Sequence, residues 1–159
     1  MKEGHFYYLD DKYFLDFKDT YLMQNKEQVN GQPHDRPCFY AFLDESTGLY
    51  WMIPISHNVQ KYRVYYNQKV QKYGRCDTIV FGYVLGHEKA FLIQNMCPIT
   101  KEYIKNEYVD SRSQIAVRID GALEKSLISK ATRVLLLQRN GKKFIFPDVL
   151  SIEKKLLKQ

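Results

Sequence analysis

An α+β fold built on a twisted antiparallel sheet is what this sequence predicts, and three observations predict it. Two apolar stretches, Cys38 to Leu43 and Leu49 to Ile55, flank the turn-forming run Asp44-Glu45-Ser46-Thr47-Gly48, the pattern of a β-hairpin. A second pair of strands, Thr78 to Leu85 and Lys89 to Gln94, is separated by Gly86-His87-Glu88. From Ala122 to Arg139, the residues Leu123, Leu127, Ala131, Val134 and Leu135 recur at the spacing of an amphipathic helix. Strands come first, with helices between and after them, which is the order of an α+β chain. A length of 159 residues suits one domain, 1–159.

The remaining elements follow in order. His5 to Leu9 is rich in aromatics and reads as a short strand. Asp10-Asp11 then caps a helix that runs to about Met23, with Tyr13, Leu15, Phe17 and Leu22 as its apolar groups. Residues 24–35 read as a polar loop, with turn chemistry at Asn30-Gly31-Gln32-Pro33. Asn58 to Tyr73 reads as a helix on which Val59, Tyr62, Tyr66, Val70 and Tyr73 share the core face. Thr100 is placed to cap a short helix to about Val109. Gly141 is placed to end the helix of 122–139. Asp148 to Leu157 reads as a last, basic helix.

Composition narrows the partners. Aromatics make up 14% of the chain, and thirteen tyrosines exceed what a core needs, because each buried hydroxyl wants a partner. Some are therefore expected at the surface, free to stack. The net charge of +6 is unevenly placed. Residues 121–159 carry nine Lys or Arg against three Asp or Glu, and residues 1–35 carry four against seven. Basic regions on a neutral remainder predict an anionic partner. The cysteines, Cys38, Cys76 and Cys97, are odd in number and form no C-x-x-C, so neither a disulfide framework nor a structural zinc site is expected. They fit a reducing compartment. No signal-peptide pattern opens the chain, no apolar run reaches the ~20 residues of a membrane span, and no cofactor or metal is expected.

The segment from Trp51 to Arg75 carries the chemistry. Trp51-Met52-Ile53-Pro54-Ile55 ends at Ser56-His57-Asn58, and from His57 to Arg75 there are five Lys or Arg and no Asp or Glu. A helix beginning here takes Ser56 or Asn58 as its N-cap. Its dipole and free N–H groups suit a phosphate, and Lys61 lies within one turn. His57 brings an imidazole, the side chain most used to carry protons in catalysis. An anion cradle, a proton carrier and a fixed cation are the parts that RNA cleavage needs. The ribose 2′-OH must lose a proton, charge develops on the phosphate, and the 5′-oxygen must gain a proton. Ser56, His57 and Lys61 are the catalytic candidates.

The candidate RNA contacts surround them. Tyr65, Lys69 and Lys72 share a basic face with Lys61, and Tyr65 is the stacking candidate among them. Asn58, Arg63 and Arg75 flank that face. Arg36 precedes a proline, which favours extended backbone, and is expected to reach a phosphate or base edge. Lys142-Lys143 would form a groove wall. His5, His34 and His87 read as structural or solvated, and Cys38 and Cys97 as core thiols.

The order His5-Phe6-Tyr7-Tyr8-Leu9, Arg36-Pro37-Cys38-Phe39-Tyr40, then Trp51-Met52-Ile53-Pro54-Ile55-Ser56 leading to Lys61-Tyr62 resembles the ToxN-type toxins, and among them the CptN-like branch. These are endoribonucleases of type III toxin–antitoxin systems. The resemblance spans nearly the whole chain. It implies a partly barrel-like, MazF/Kid-toxin-like sheet with flanking helices and basic C-terminal helices. It also implies metal-independent cleavage of cellular mRNA to 2′,3′-cyclic phosphate and 5′-OH ends, in a bacterial cytoplasm. The implied partner is a repeat RNA antitoxin, cut by the toxin and folded as a pseudoknot in a closed toxin–RNA assembly. By position, the strand-end hydroxyl of the family falls on Ser56, the catalytic lysine on Lys61, and the N-terminal aromatic near the site on Tyr7 or Tyr8. Many relatives have two adjacent hydroxyl residues at the strand end; here the second is His57, which leaves the acid and base roles open. The competing readings are a non-catalytic module binding RNA or single-stranded DNA, and a MazF-like toxin with a protein antitoxin.

Overall fold

The computed structural model describes residues 1–158; Gln159, the last residue of the expected domain, lies outside the described residues. The strands are β1 (Phe6–Leu9), β2 (Lys26–Val29), β3 (Gln32–Asp35), β4 (Pro37–Asp44), β5 (Leu49–Ser56), β6 (Ile79–Val84), β7 (His87–Leu92), β8 (Cys97–Ile99) and β9 (Ile104–Glu107). The helices are α1 (Asp11–Asp16), α2 (Val59–Tyr73), α3 (Gly121–Arg139) and α4 (Val149–Leu157). Seven strands form one antiparallel sheet along the path β6-β7-β5-β4-β1-β9, with β8 joined to β5 off that path. β6 and β9 stand at opposite ends of the path, so the sheet stays open rather than closing into a barrel. The α+β architecture and the antiparallel sheet with flanking helices are as the sequence predicts.

The long central strands are apolar at nearly every position because both faces of the sheet are covered. On β4 and β5, Phe39, Ala41, Trp51, Ile53 and Ile55 enter one cluster, and α3 covers it with Leu127, Ala131, Val134 and Leu135. Cys38, Tyr40 and Met52 face the other way, against Tyr13 of α1 and Ile152 and Leu156 of α4. A bulge between Tyr40 and Phe42 shifts the register of β4 against β5, which bends the strand and raises its local twist. A third cluster lies beneath α2, where Tyr62 packs on Cys76, Ile79, Ala90 and Leu92.

Four local expectations are corrected. The first helix stops at Asp16, not near Met23; Asp10 caps it, and residues 17–25 continue as an irregular strap. That strap turns Leu22 toward one core cluster and Met23 toward Tyr62 and Tyr66 of another, so its apolar residues point to different places rather than along one helical stripe. The polar loop expected at 24–35 is the β2–β3 hairpin. Its turn residues Asn30 and Gly31 both have positive φ, the geometry of a primed hairpin turn, which favours Asn-Gly. The turn between β6 and β7 falls on Leu85-Gly86, both with positive φ, one residue ahead of the predicted Gly86-His87-Glu88. The helix expected from Thr100 to Val109 is a 3-10 turn, Lys101–Tyr103, followed by β9, because residues 104–107 complete their hydrogen bonds on the free edge of β1.

Helix α2 begins and ends as predicted. Asn58 caps its start, and Gly74, at φ 79°, ends it by donating its N–H to the Val70 carbonyl at 2.8 Å. Asp120 and Asp148 cap α3 and α4 in the same way as Asn58 caps α2. Among the described residues no helix is long and apolar enough to cross a membrane.

Candidate active site

The partners of β5 set the position of the site. Its first half, Tyr50 to Met52, pairs with β8; its last residues, Ile55 and Ser56, pair with Phe91 and Ala90 of β7. Ser56 is thus held at a buried strand end. The chain then turns sharply. Asn58 donates its N–H to Ser56 Oγ at 3.2 Å, Val59 donates to the His57 carbonyl at 2.9 Å, and Lys61 donates its N–H to Asn58 Oδ1 at 3.4 Å. The N–H groups expected to cradle an anion are therefore largely engaged within the turn. What remains for an anion is the positive end of the α2 dipole, the Ser56 hydroxyl hydrogen and the Lys61 ammonium.

Ser56, His57, Asn58 and Lys61 line one open cleft of about 500 Å³. Its other walls are residues 20–24 of the strap, residues 26–28 of β2, Arg36, Tyr62 and Asn95. The three catalytic candidates are thus brought together. Lys61 is exposed, with Nζ 5.4 Å from the centroid of the Tyr62 ring. The Tyr62 hydroxyl is held above its ordinary pKa by burial, so it stays a neutral donor.

Glu27 is the residue that sequence reasoning missed. Its Oε2 lies 3.1 Å from His57 Nδ1 and accepts a hydrogen bond from Arg36 Nη1 at 3.0 Å. The carboxylate is nearly buried, as is the guanidinium. Arg36 also donates from Nε to the Gln24 carbonyl and from Nη1 to the Ile55 carbonyl, each at 2.9 Å. Arg36 lines the cleft, but it does not reach out as expected. It is turned inward and clamps strap, hairpin and β5 together, because those carbonyls and Glu27 must be satisfied once buried. The signal that finds Glu27 is Asn30-Gly31, a hairpin turn between two flanks whose polarity disguises them as loop.

The expected RNA contacts divide. Tyr65 is exposed on α2 beside Tyr62, as predicted. Lys72 is exposed, and so are Lys142 and Lys143 in the segment after α3. Arg63 instead pairs with Glu88 and stacks on Phe81, its guanidinium carbon 3.8 Å from the ring centroid. Arg75 pairs with Asp77. Lys69 is half-buried, donating to Thr78 Oγ1 at 2.7 Å and Gln94 Oε1 at 2.9 Å, and burial lowers its pKa. Tyr73, expected in the core, is 65% exposed. Tyr7 is buried in the sheet and its hydroxyl accepts the Lys2 N–H at 2.7 Å. Tyr8 packs edge-on against Tyr108, and its hydroxyl is pushed up to about 12 by burial, then by Tyr108 and Asp35. Neither Tyr7 nor Tyr8 lines the cleft. His5 is engaged by Glu107, which fits a structural imidazole.

No protein-family model matches the chain. No curated protein matches it either. Among solved structures it is similar to AbiQ, a lactococcal anti-phage endoribonuclease belonging to the type III toxin–antitoxin system, at 13% sequence identity and a TM-score of 0.49, covering 99% of this chain and 78% of that one.

Proposed function

We propose that the cleft between α2, the 17–25 strap and the β2–β3 hairpin is the active site of an endoribonuclease toxin. The observation that carries this reading is the Glu27–His57 contact beside Ser56 and Lys61. A carboxylate 3.1 Å from Nδ1 favours the proton on that nitrogen, which would leave Nε2 as the nitrogen free to act. A histidine ordered in this way in an open cleft, with a cation and a hydroxyl alongside, has the parts of a phosphodiester transesterification.

In this mechanism the 2′-hydroxyl proton passes to His57 Nε2 as the 2′-oxygen attacks phosphorus. The 2′-oxygen–phosphorus bond forms and the phosphorus–5′-oxygen bond breaks, giving a 2′,3′-cyclic phosphate. Lys61 neutralises the charge that develops on the non-bridging oxygens, and its ammonium supplies the proton taken by the departing 5′-oxygen. Ser56 orients the scissile phosphate with its hydroxyl hydrogen, its oxygen being already an acceptor for Asn58. Proton transfer by a positioned side chain contributes typically ~10²–10⁴-fold, and a placed donor to a developing anion ~10²–10³-fold. None of these roles calls on a metal or cofactor.

The partner in this reading is a repeat RNA antitoxin, with cellular mRNA as the substrate. Its support is the resemblance to ToxN-type toxins together with the basic and aromatic surface around Tyr65, Lys72 and Lys142-Lys143. The test is to express the wild-type chain and Lys61→Ala without an antitoxin and to map 5′ ends of cellular RNA. Discrete new 5′-hydroxyl ends in the wild type alone are expected. Folded wild-type protein that yields none would make the chain a non-catalytic RNA-binding module.

A further inference from the structure

The cleft does not end at Asn95; an aromatic surface continues from it. Tyr21 lines the cleft and is 60% exposed. Phe146, in the segment between α3 and α4, is 41% exposed, and the two ring centroids lie 6.3 Å apart with their planes at 59°. Neither ring belongs to a core cluster.

The backbones beneath these rings are nevertheless pinned. The Tyr21 N–H donates to Asp19 Oδ1 at 2.9 Å, and its carbonyl accepts Asn95 Nδ2 at 2.9 Å. The Phe146 N–H donates to the Gln94 carbonyl at 2.8 Å. Asp19 Oδ2 accepts the Asp148 N–H at 2.7 Å and so ties the strap to the start of α4. Three distant segments thus hold two large rings outward at set positions, which lowers the ordering cost of anything that binds them. Charge is supplied next to the second ring. Lys69 Nζ lies 5.6 Å from the Phe146 centroid and is fixed by Thr78 and Gln94, the residue that also anchors Phe146. The Asp19 carboxylate, the acid nearest in sequence to Tyr21, is occupied by two backbone N–H groups.

We propose that Tyr21 and Phe146 form a stacking shelf for two unpaired bases of a single RNA strand leaving the cleft, with Lys69 holding the phosphate beside Phe146. The proposal rests on the reading of the cleft as an RNA-cleaving site and adds that the substrate is single-stranded on one side of the scissile phosphate. Two rings at 59° cannot both lie flat on bases that are stacked on each other, so the shelf selects a splayed strand and rejects an A-form duplex. Stacking is tolerant of base identity because every base has a π-face.

The probe is a fluorescein-labelled mixed-sequence 12-mer of 2′-O-methyl RNA, which lacks the attacking hydroxyl, with binding read by anisotropy. Tyr21→Ala and Phe146→Ala are each expected to weaken the single strand about tenfold, with the salt dependence unchanged because no phosphate contact is removed. Tyr21→Phe and Phe146→Tyr, which keep the rings, are expected to bind as the wild type does. The same 12-mer annealed to its complement is expected to bind equally to the wild type and the alanine variants. Alanine variants that bind the single strand as tightly as the wild type would overturn the shelf, as would an equal loss on single strand and duplex. Cleavage of unmodified RNA is followed separately. An inactive wild type with an intact shelf effect removes the nuclease reading alone, and an active wild type with no shelf effect removes the shelf alone.

Discussion

Glu27 Oε2 lies 3.1 Å from His57 Nδ1, and the same oxygen accepts a hydrogen bond from buried Arg36. One carboxylate therefore joins the β2–β3 hairpin, the start of β4 and the β5–α2 junction. It compensates a buried cation on one side and lies against an exposed imidazole on the other. In the proposed mechanism a catalytic and a structural role meet in this one side chain, and substitution separates them.

Glu27→Gln keeps an acceptor for Arg36 but no longer offers His57 an ionised one. Cleavage is expected to fall about 10–100-fold with the fold retained, measured as single-turnover cleavage alongside circular dichroism. Glu27→Ala leaves the guanidinium buried without a counter-charge and is expected to cost about 3 kcal/mol, read from the urea midpoint. Adding Arg36→Met to Glu27→Ala is expected to recover part of that loss, because the uncompensated charge goes with it.

Lys61 is exposed, with its ammonium beside the Tyr62 ring, so removing it costs the fold little. Lys61→Ala is expected to lower cleavage about 10²–10³-fold while leaving the thermal midpoint unchanged. RNA affinity should fall far less than cleavage. A fully toxic Lys61→Ala chain would refute the assignment. If His57→Gln cleaves like the wild type, the imidazole has no part in proton transfer.

Asp35, at the end of the hairpin, pairs with Lys26 and with Lys105 of β9. The Lys26 hydrogen bond, opposed by partial burial and aided by Lys105, holds its carboxyl below the ordinary value of 3.8. A depressed carboxyl contributes stability above its unfolded pKa and loses it as pH falls through the folded one. The Lys26–Asp35 end of the β2–β3 hairpin should therefore weaken below about pH 4, with a smaller loss at Lys105 of β9, before the central sheet opens. Amide signals of residues 26–35 followed by NMR through an acid titration check this, and Asp35→Asn should abolish the step.

Burial pushes the Cys97 thiol up to about 12, and it raises that of Cys38 further. Both lie inside the cluster between the sheet and α4. The native chain is expected to leave these two thiols unlabelled by a thiol reagent at about pH 8, since the thiolate is the reactive form. They should label only as the chain unfolds, so their rate of labelling reports the opening of that core. Fast labelling of Cys97 in folded protein would contradict the packing.

What the sequence determined by itself are the elements whose signals are local. The β4–β5 hairpin announces itself in two apolar strands around a turn, and α2, α3 and α4 in periodicity and caps. The Ser56-His57-Asn58 junction follows directly, because a strand end and a helix start are both written within a few residues. Tertiary structure alone decided the rest. Residues 104–107 carry no apolar alternation and become a strand because the edge of β1 offers them hydrogen bonds. Glu27 carries no local mark of function and acquires one by folding against His57. Arg36 looks like a free cation in the chain, yet two carbonyls and a carboxylate draw it inward. Periodicity records which face of an element is buried, whereas a cleft is made by segments far apart in sequence, and their meeting is governed by long-range burial and hydrogen-bond satisfaction that no local window contains.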